Sequence, residues 1–117
     1  RLDVSAERWL EMSALYFPPP HSVRGRIAGA FLRGDSLTQL DALRRFGNFR
    51  LAADVEALRK RGWSIITEDV EVVTSDAGRH AEVARYHMTQ VAIAEAGDEG
   101  RKFAEAARLA EIERKAA

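Results

Sequence analysis

Between positions 37 and 63 the chain reads LTQLDALRRFGNFRLAADVEALRKRGW, two short apolar repeats broken by Gly47-Asn48, and no other run restricts the fold as much. Leu40, Leu43 and Phe46 recur at i, i+3 and i+6, which predicts one apolar stripe on a helix of about nine residues opening near Thr38. Gly47-Asn48 can take the positive φ that ends a helix and redirects the chain sharply. From Arg50 onward, Leu51, Val55 and Leu58 recur at i, i+4 and i+7, so a second helix is expected over residues 50–61, with Gly62 as its stop signal. On that helix Ala53, Glu56, Ala57 and Lys60 point away from the stripe. The small alanines let this outer face approach another surface closely.

Upstream, Val23, Ile27, Ala30 and Phe31 space out a further helix over residues 22–33, ending at Gly34-Asp35. Downstream the period changes. Residues 64–73, SIITEDVEVV, are β-branched and alternate, with Ile66, Val70 and Val72 on one side and Thr67, Asp69, Glu71 and Val73 on the other. Residues 74–78 read as a turn, and 81–88 return as a second strand through Val83, Arg85 and Tyr86. The expected class is mainly α with a small β-hairpin, an α+β arrangement of three helices and a hairpin with flanking N- and C-terminal helices.

The run GDSLTQLDALRRFGNFRLAADVEALRKRGWSIITEDVEV, closing with ARYHM, resembles the winged helix-turn-helix domains of phage, prophage and bacterial DNA-binding proteins. The resemblance covers roughly residues 23–88. It implies DNA binding through the second helix of the motif, residues 50–61, laid in the major groove, with the hairpin tip over residues 74–81 as a wing beside it.

The formal net charge of the whole chain is zero. Divided by segment, the charge is uneven: residues 1–20 carry two cations and three anions, 21–63 nine and four, 64–88 two and five, and 89–117 five and six. The helical middle is therefore at +5. Phosphate contact depends on potential within about one Debye length, roughly 8–10 Å, so the local value and not the total bears on double-stranded DNA as partner.

Individual contacts follow from position. Arg50, in the first turn of the second helix, can bridge a guanine edge or hold a phosphate. Asn48 can donate to a phosphate or serve only the turn geometry. Thr38 and Gln39, opening the first helix, can present donors to a phosphate, and capping explains Thr38 equally well. Arg44, Arg45, Lys60 and Arg61 form a basic rim, extended by Arg24 and Arg26. Ala53 and Asp54 lie on or beside the outer face, and Arg79 and His80 in the wing are placed to reach a minor groove or a flanking phosphate.

Three segments are expected: 1–20, an amphipathic helix over 5–16 and a proline-rich linker; 21–88, the winged domain; and 89–117, a helical tail. Trp9, Leu15 and their aromatic neighbours either pack on the core or form a dimer or partner surface. In the tail, Phe103, Ala107, Ala110 and Ile112, with Leu109, give a thin stripe that docks on its own domain, pairs with a second copy, or frays. Trp9, Leu15, Phe103, Leu109 and Ile112 are the candidate oligomerisation residues of a homodimer or higher homo-oligomer.

Other function classes find little support. The chain has no cysteine, so it has no disulfide framework and no thiolate metal site. His21, His80 and His87 are scattered without an HExxH or paired-carboxylate arrangement, and Gly25 and Gly29 lack the phosphate-loop pattern. No enzyme, metal, cofactor, small-molecule ligand or membrane span is expected. The reading is a sequence-specific DNA-binding regulator of transcription or replication, of phage or mobile-element type, in a bacterial or phage-infected cytoplasm. The alternative is a winged-helix protein-interaction module that uses the acidic wing and the aromatic N-terminal helix.

Overall fold

The computed structural model describes residues 15–73 and 78–116. In chain order they form α1 (Val23–Leu32), β1 (Leu37–Thr38), α2 (Gln39–Phe46), α3 (Leu51–Lys60), β2 (Ile66–Val73), β3 (His80–His87), α4 (Gln90–Glu95) and α5 (Gly97–Ala116). The expected α+β class is what is found: helices predominate, beside a three-stranded antiparallel sheet.

Helix α1 is the central element. Ser22 caps it by accepting from the Gly25 N–H at 2.9 Å, and every residue from Gly25 to Leu32 is buried. Arg26 is among them at 5 % exposure, so it does not extend a basic surface as the sequence had implied. Gly29 marks the closest approach of α1 to α5: a Cβ added there would stand 2.3 Å from the Ala107 Cβ.

Helix α2 opens on a capping box in which the Thr38 hydroxyl accepts from the Asp41 N–H at 3.2 Å while the Asp41 carboxylate accepts from the Thr38 N–H at 2.9 Å. Its buried side chains are Ala42 and Phe46, whereas Leu40 is 51 % exposed and Leu43 also faces outward. The expected Leu40–Leu43–Phe46 stripe is thus corrected. Strand β1 runs directly into α2 and buries Leu37, and this junction turns the i, i+4 pair Ala42 and Phe46 toward the core. Gly47 ends the helix at φ 66°. Helix α3 follows the expected pattern with Leu51, Val55 and Leu58 buried, and Arg50 and Arg61 are its caps.

The sheet order is β1-β3-β2, with Leu37 opposite Tyr86 and the β2–β3 ladder running from Ile66 opposite His87 to Val73 opposite His80. Strand β1 was not expected from sequence. The hairpin contributes little to the core: Ile66 and Val72 are exposed, while Ile65, just before β2, is buried. The expected turn at 74–78 lies outside the described residues except for Gly78.

Ile27, Phe31, Leu37, Leu51, Val55 and Leu58 form the centre of the core. A second layer is aromatic. Phe17, Trp63 and Phe103 meet with ring centroids 5.0 to 6.3 Å apart, and the Trp63 indole N–H donates to the Tyr16 carbonyl at 2.8 Å. The predicted helix over 5–16 lies outside the described residues except at Leu15 and Tyr16, which carry no helix. Of the three expectations for the tail, docking on the chain's own domain is observed: α5 buries Phe103, Ala104 and Ala107 against the domain. Its Glu111, only 8 % exposed, accepts from Arg33 at 3.2 Å and from Arg45 at 3.2 and 3.3 Å.

Candidate nucleic-acid interface

The turn between α2 and α3 is held by side chains that sequence reasoning had assigned to DNA. The Gln39 amide donates to the Asn48 carbonyl at 2.7 Å, and its oxygen accepts from the Leu51 N–H at 2.8 Å. The Asn48 oxygen accepts from the Arg50 N–H at 2.7 Å, and its amide donates to the Asp54 carboxylate. Asp54 also accepts from the Arg24 guanidinium at 2.8 Å, which ties α1 to α3. The Asp54 side chain is 13 % exposed and Asn48 is buried, so neither presents a free group to a ligand. Thr38 and Gln39 are likewise occupied as caps. Gln39, Asn48 and Asp54 form a frame that fixes where α3 begins, while Thr38 fixes the start of α2.

Arg45 is also engaged, between Asp35 at 3.0 Å and Glu111. The neighbouring carboxylates hold its guanidinium proton more tightly than usual, and this outweighs the opposing effect of partial burial. Arg33 turns to Glu111 and to the Ala104 carbonyl, and Arg59 caps the turn before β2 through the Ile65 carbonyl at 2.7 Å. Arg61 lies over the Tyr16 ring, 4.6 Å from its centroid. Within residues 21–63 this leaves Arg44, Arg50 and Lys60, all exposed and with no side-chain partner among the described residues. Arg50 occupies the N-cap position of α3 without a side-chain cap bond, while Ala52, Ala53, Glu56 and Lys60 form the helix's exposed face. A cation at the start of a helix with a small-residue outer face suits the approach of a major-groove edge.

The wing is more acidic. Arg85 donates to Glu68 at 2.6 and 2.8 Å, and this hydrogen bond holds the Glu68 carboxyl below the usual carboxylate range. The His80 Nδ1 stands 2.7 Å from a Glu71 carboxylate oxygen. Arg79 and His80 are exposed beside the tip, whose residues 74–77 lie outside the described ones.

The candidate oligomerisation residues separate. Trp9 lies outside the described residues. Leu15 packs, partly buried, against the core, and Phe103 is buried in the aromatic layer. Leu109 and Ile112 remain exposed on α5. Phe49 was passed over in the sequence. It is 78 % exposed in the turn itself, and its position just before the α3 cap, outside the apolar period, was the available clue.

Among the described residues no helix is long and apolar enough to cross a membrane, and no group of three or more His, Asp or Glu side chains is placed to hold a metal ion. No curated protein and no solved structure matches the chain. Residues 23–91, more than half of the chain, match the family described as the winged helix-turn-helix domain, whose fold is a DNA-binding one. The capped turn, the buried stripe of α3 and the β1-β3-β2 sheet are the parts that such a domain requires, and the chain belongs to the winged helix-turn-helix domain family.

Proposed function

We propose that the chain is a sequence-specific binder of double-stranded DNA that lays the outer face of α3 in the major groove with the β2–β3 wing beside it. The observation that carries this reading is the division of labour around the turn. Gln39, Asn48 and Asp54 hold one another and the start of α3, while Arg50, Arg44 and Lys60, on or near that helix, have no side-chain partners among the described residues. Cations held in place without counter-charges are what phosphate and base-edge contacts need. The exposed Leu109 and Ile112 on α5 support a homodimer that sets the spacing of two recognition helices on a partly symmetric site. The likeness of the motif to phage and mobile-element domains supports a role in regulating transcription or replication there.

A titration by fluorescence anisotropy on random duplex DNA tests this at about 50 and 200 mM salt, where phosphate contacts must weaken steeply with salt. Saturable, salt-sensitive binding is expected. No binding at the lower salt would overturn the reading.

A second reading has its own observation. Between α2, α3 and the wing lies a groove of about 320 Å³ lined by Leu40, Ala52, Val72, Val73, Val83 and Tyr86. An apolar groove of this kind suits a protein segment, and such an interface responds little to salt.

A further inference from the structure

Phe49 is the most exposed of the large apolar side chains among the described residues, at 78 %. Its position immediately precedes the Arg50 cap of α3, where an apolar residue ordinarily packs against the side chain four residues into the helix. Here that residue is Asp54, whose carboxylate is taken by Asn48 and Arg24. Phe49 therefore has no apolar anchor at that position.

Its backbone, by contrast, is fixed. The peptide group before Phe49 is held through the Asn48 carbonyl by Gln39 at 2.7 Å, and the one after it through the Arg50 N–H by the Asn48 side chain, also at 2.7 Å. An exposed aromatic ring on a backbone bonded on both sides is a preorganised contact. It faces an open hollow of about 510 Å³ shared with Val23, Arg24, Arg50 and Ala53.

Resting on the DNA-binding reading above, we infer that Phe49 is a specificity-determining residue that packs against the 5-methyl group of a thymine in the major groove. The occupant follows from chemistry. Residues at the start of a recognition helix approach base edges, and the methyl of thymine is the apolar group that the major groove offers there. Arg24 in this hollow is paired with Asp54, and the exposed Arg50, which has no side-chain partner among the described residues, matches a polyanion better than an apolar protein segment, while Ala53 leaves room for the base edge.

The test uses the full chain and a duplex selected from a random pool. Each thymine is replaced in turn by deoxyuridine, which removes only the methyl. At one or two positions the wild-type affinity should fall about three- to fivefold, which is what one buried methyl contributes. Phe49→Ala should bind the thymine duplex about as weakly as wild type binds the deoxyuridine duplex, and should no longer tell the two apart. Phe49→Leu should keep part of the discrimination. The ring is exposed, so the variants should melt like wild type, and Phe49→Ala should keep salt-sensitive binding to unselected DNA. Wild-type indifference to every replacement, or undiminished discrimination by Phe49→Ala, would overturn the inference and leave DNA binding intact. Failure of the wild type to bind any duplex at low salt would overturn both.

Discussion

The side-chain oxygen of Gln39 accepts the backbone N–H of Leu51 at 2.8 Å, so α3 takes its cap from the preceding helix and not from its own N-cap residue, Arg50. Removing this contact should loosen α3 as a unit. Gln39→Ala is expected to lower the unfolding free energy by about 1–2 kcal/mol, as for a lost helix cap or a buried donor left unpaired. DNA affinity should fall on all sequences without a change in salt slope, because no cation is removed. Urea titration checks the first part. An unchanged midpoint with weaker DNA binding would instead make Gln39 a direct phosphate contact.

Glu111 gathers Arg33, Arg45 and Lys115 around one carboxylate and so fastens α5 to α1 and α2. Glu111→Ala leaves two partly buried guanidiniums facing each other. For fully buried pairs such a change costs about 3–5 kcal/mol, and with Arg45 about a third exposed we expect roughly 2 kcal/mol. Glu111→Gln should lie between this variant and wild type. Denaturant unfolding of the three proteins decides the order, and equal midpoints would show that the aromatic layer alone holds α5.

Gly29 and Ala107 are in contact across the α1–α5 crossing, where an added methyl on Gly29 meets the Ala107 Cβ at 2.3 Å. Overpacking of this kind costs about 1–3 kcal/mol. Gly29→Ala should therefore destabilise the protein, and Ala107→Gly introduced with it should restore part of the loss. A double-mutant cycle measures the coupling, which must be favourable if these two side chains are the clash.

Legibility of the fold in sequence followed range. Ser22, Thr38 and Gly47 act on backbone groups within a few residues, so the starts of α1 and α2 and the end of α2 could be read from them. Strand β1 could not be read, because its two residues gain meaning only from Tyr86 and Arg85 far along the chain. The α2 stripe was misread because Ala42 looks neutral in a hydrophobic pattern and yet faces the core, while the larger Leu40 and Leu43 do not. The site was legible as a region and not as a contact list. Arg45 and Asn48 have residue types common on a DNA surface and Asp54 has the position of one, and only the three-dimensional partners Glu111, Arg50 and Arg24 show that they are held internally.

The wing pair Glu68–Arg85 gives a pH dependence of known sign. The Glu68 carboxyl is held below its ordinary range by the Arg85 hydrogen bond, so its stabilising contribution is present at neutral pH and is lost as pH falls through the lowered value. Glu68→Gln removes that contribution. Melting temperatures of wild type and variant should differ most near neutrality and converge once the pH has fallen through and below the ordinary carboxylate range. A gap that persists unchanged into acid would mean that the glutamate acts by packing and not by charge.

Arg50 and Lys60 stand at opposite ends of α3, the proposed recognition helix, one as its N-cap residue and the other in its last turn, both exposed. On the proposed DNA-binding reading their positions predict different work. Residues at the start of such a helix meet base edges, so Arg50→Ala should cost about 1–3 kcal/mol on a selected site and much less on random duplex. A lysine at the far end reaches the backbone, so Lys60→Ala should weaken both duplexes equally and reduce the salt slope by about one. Anisotropy titrations of both variants on both duplexes over a salt series separate these outcomes. Equal loss on both duplexes for Arg50→Ala would make it a phosphate contact and leave base reading to the apolar part of the α3 face.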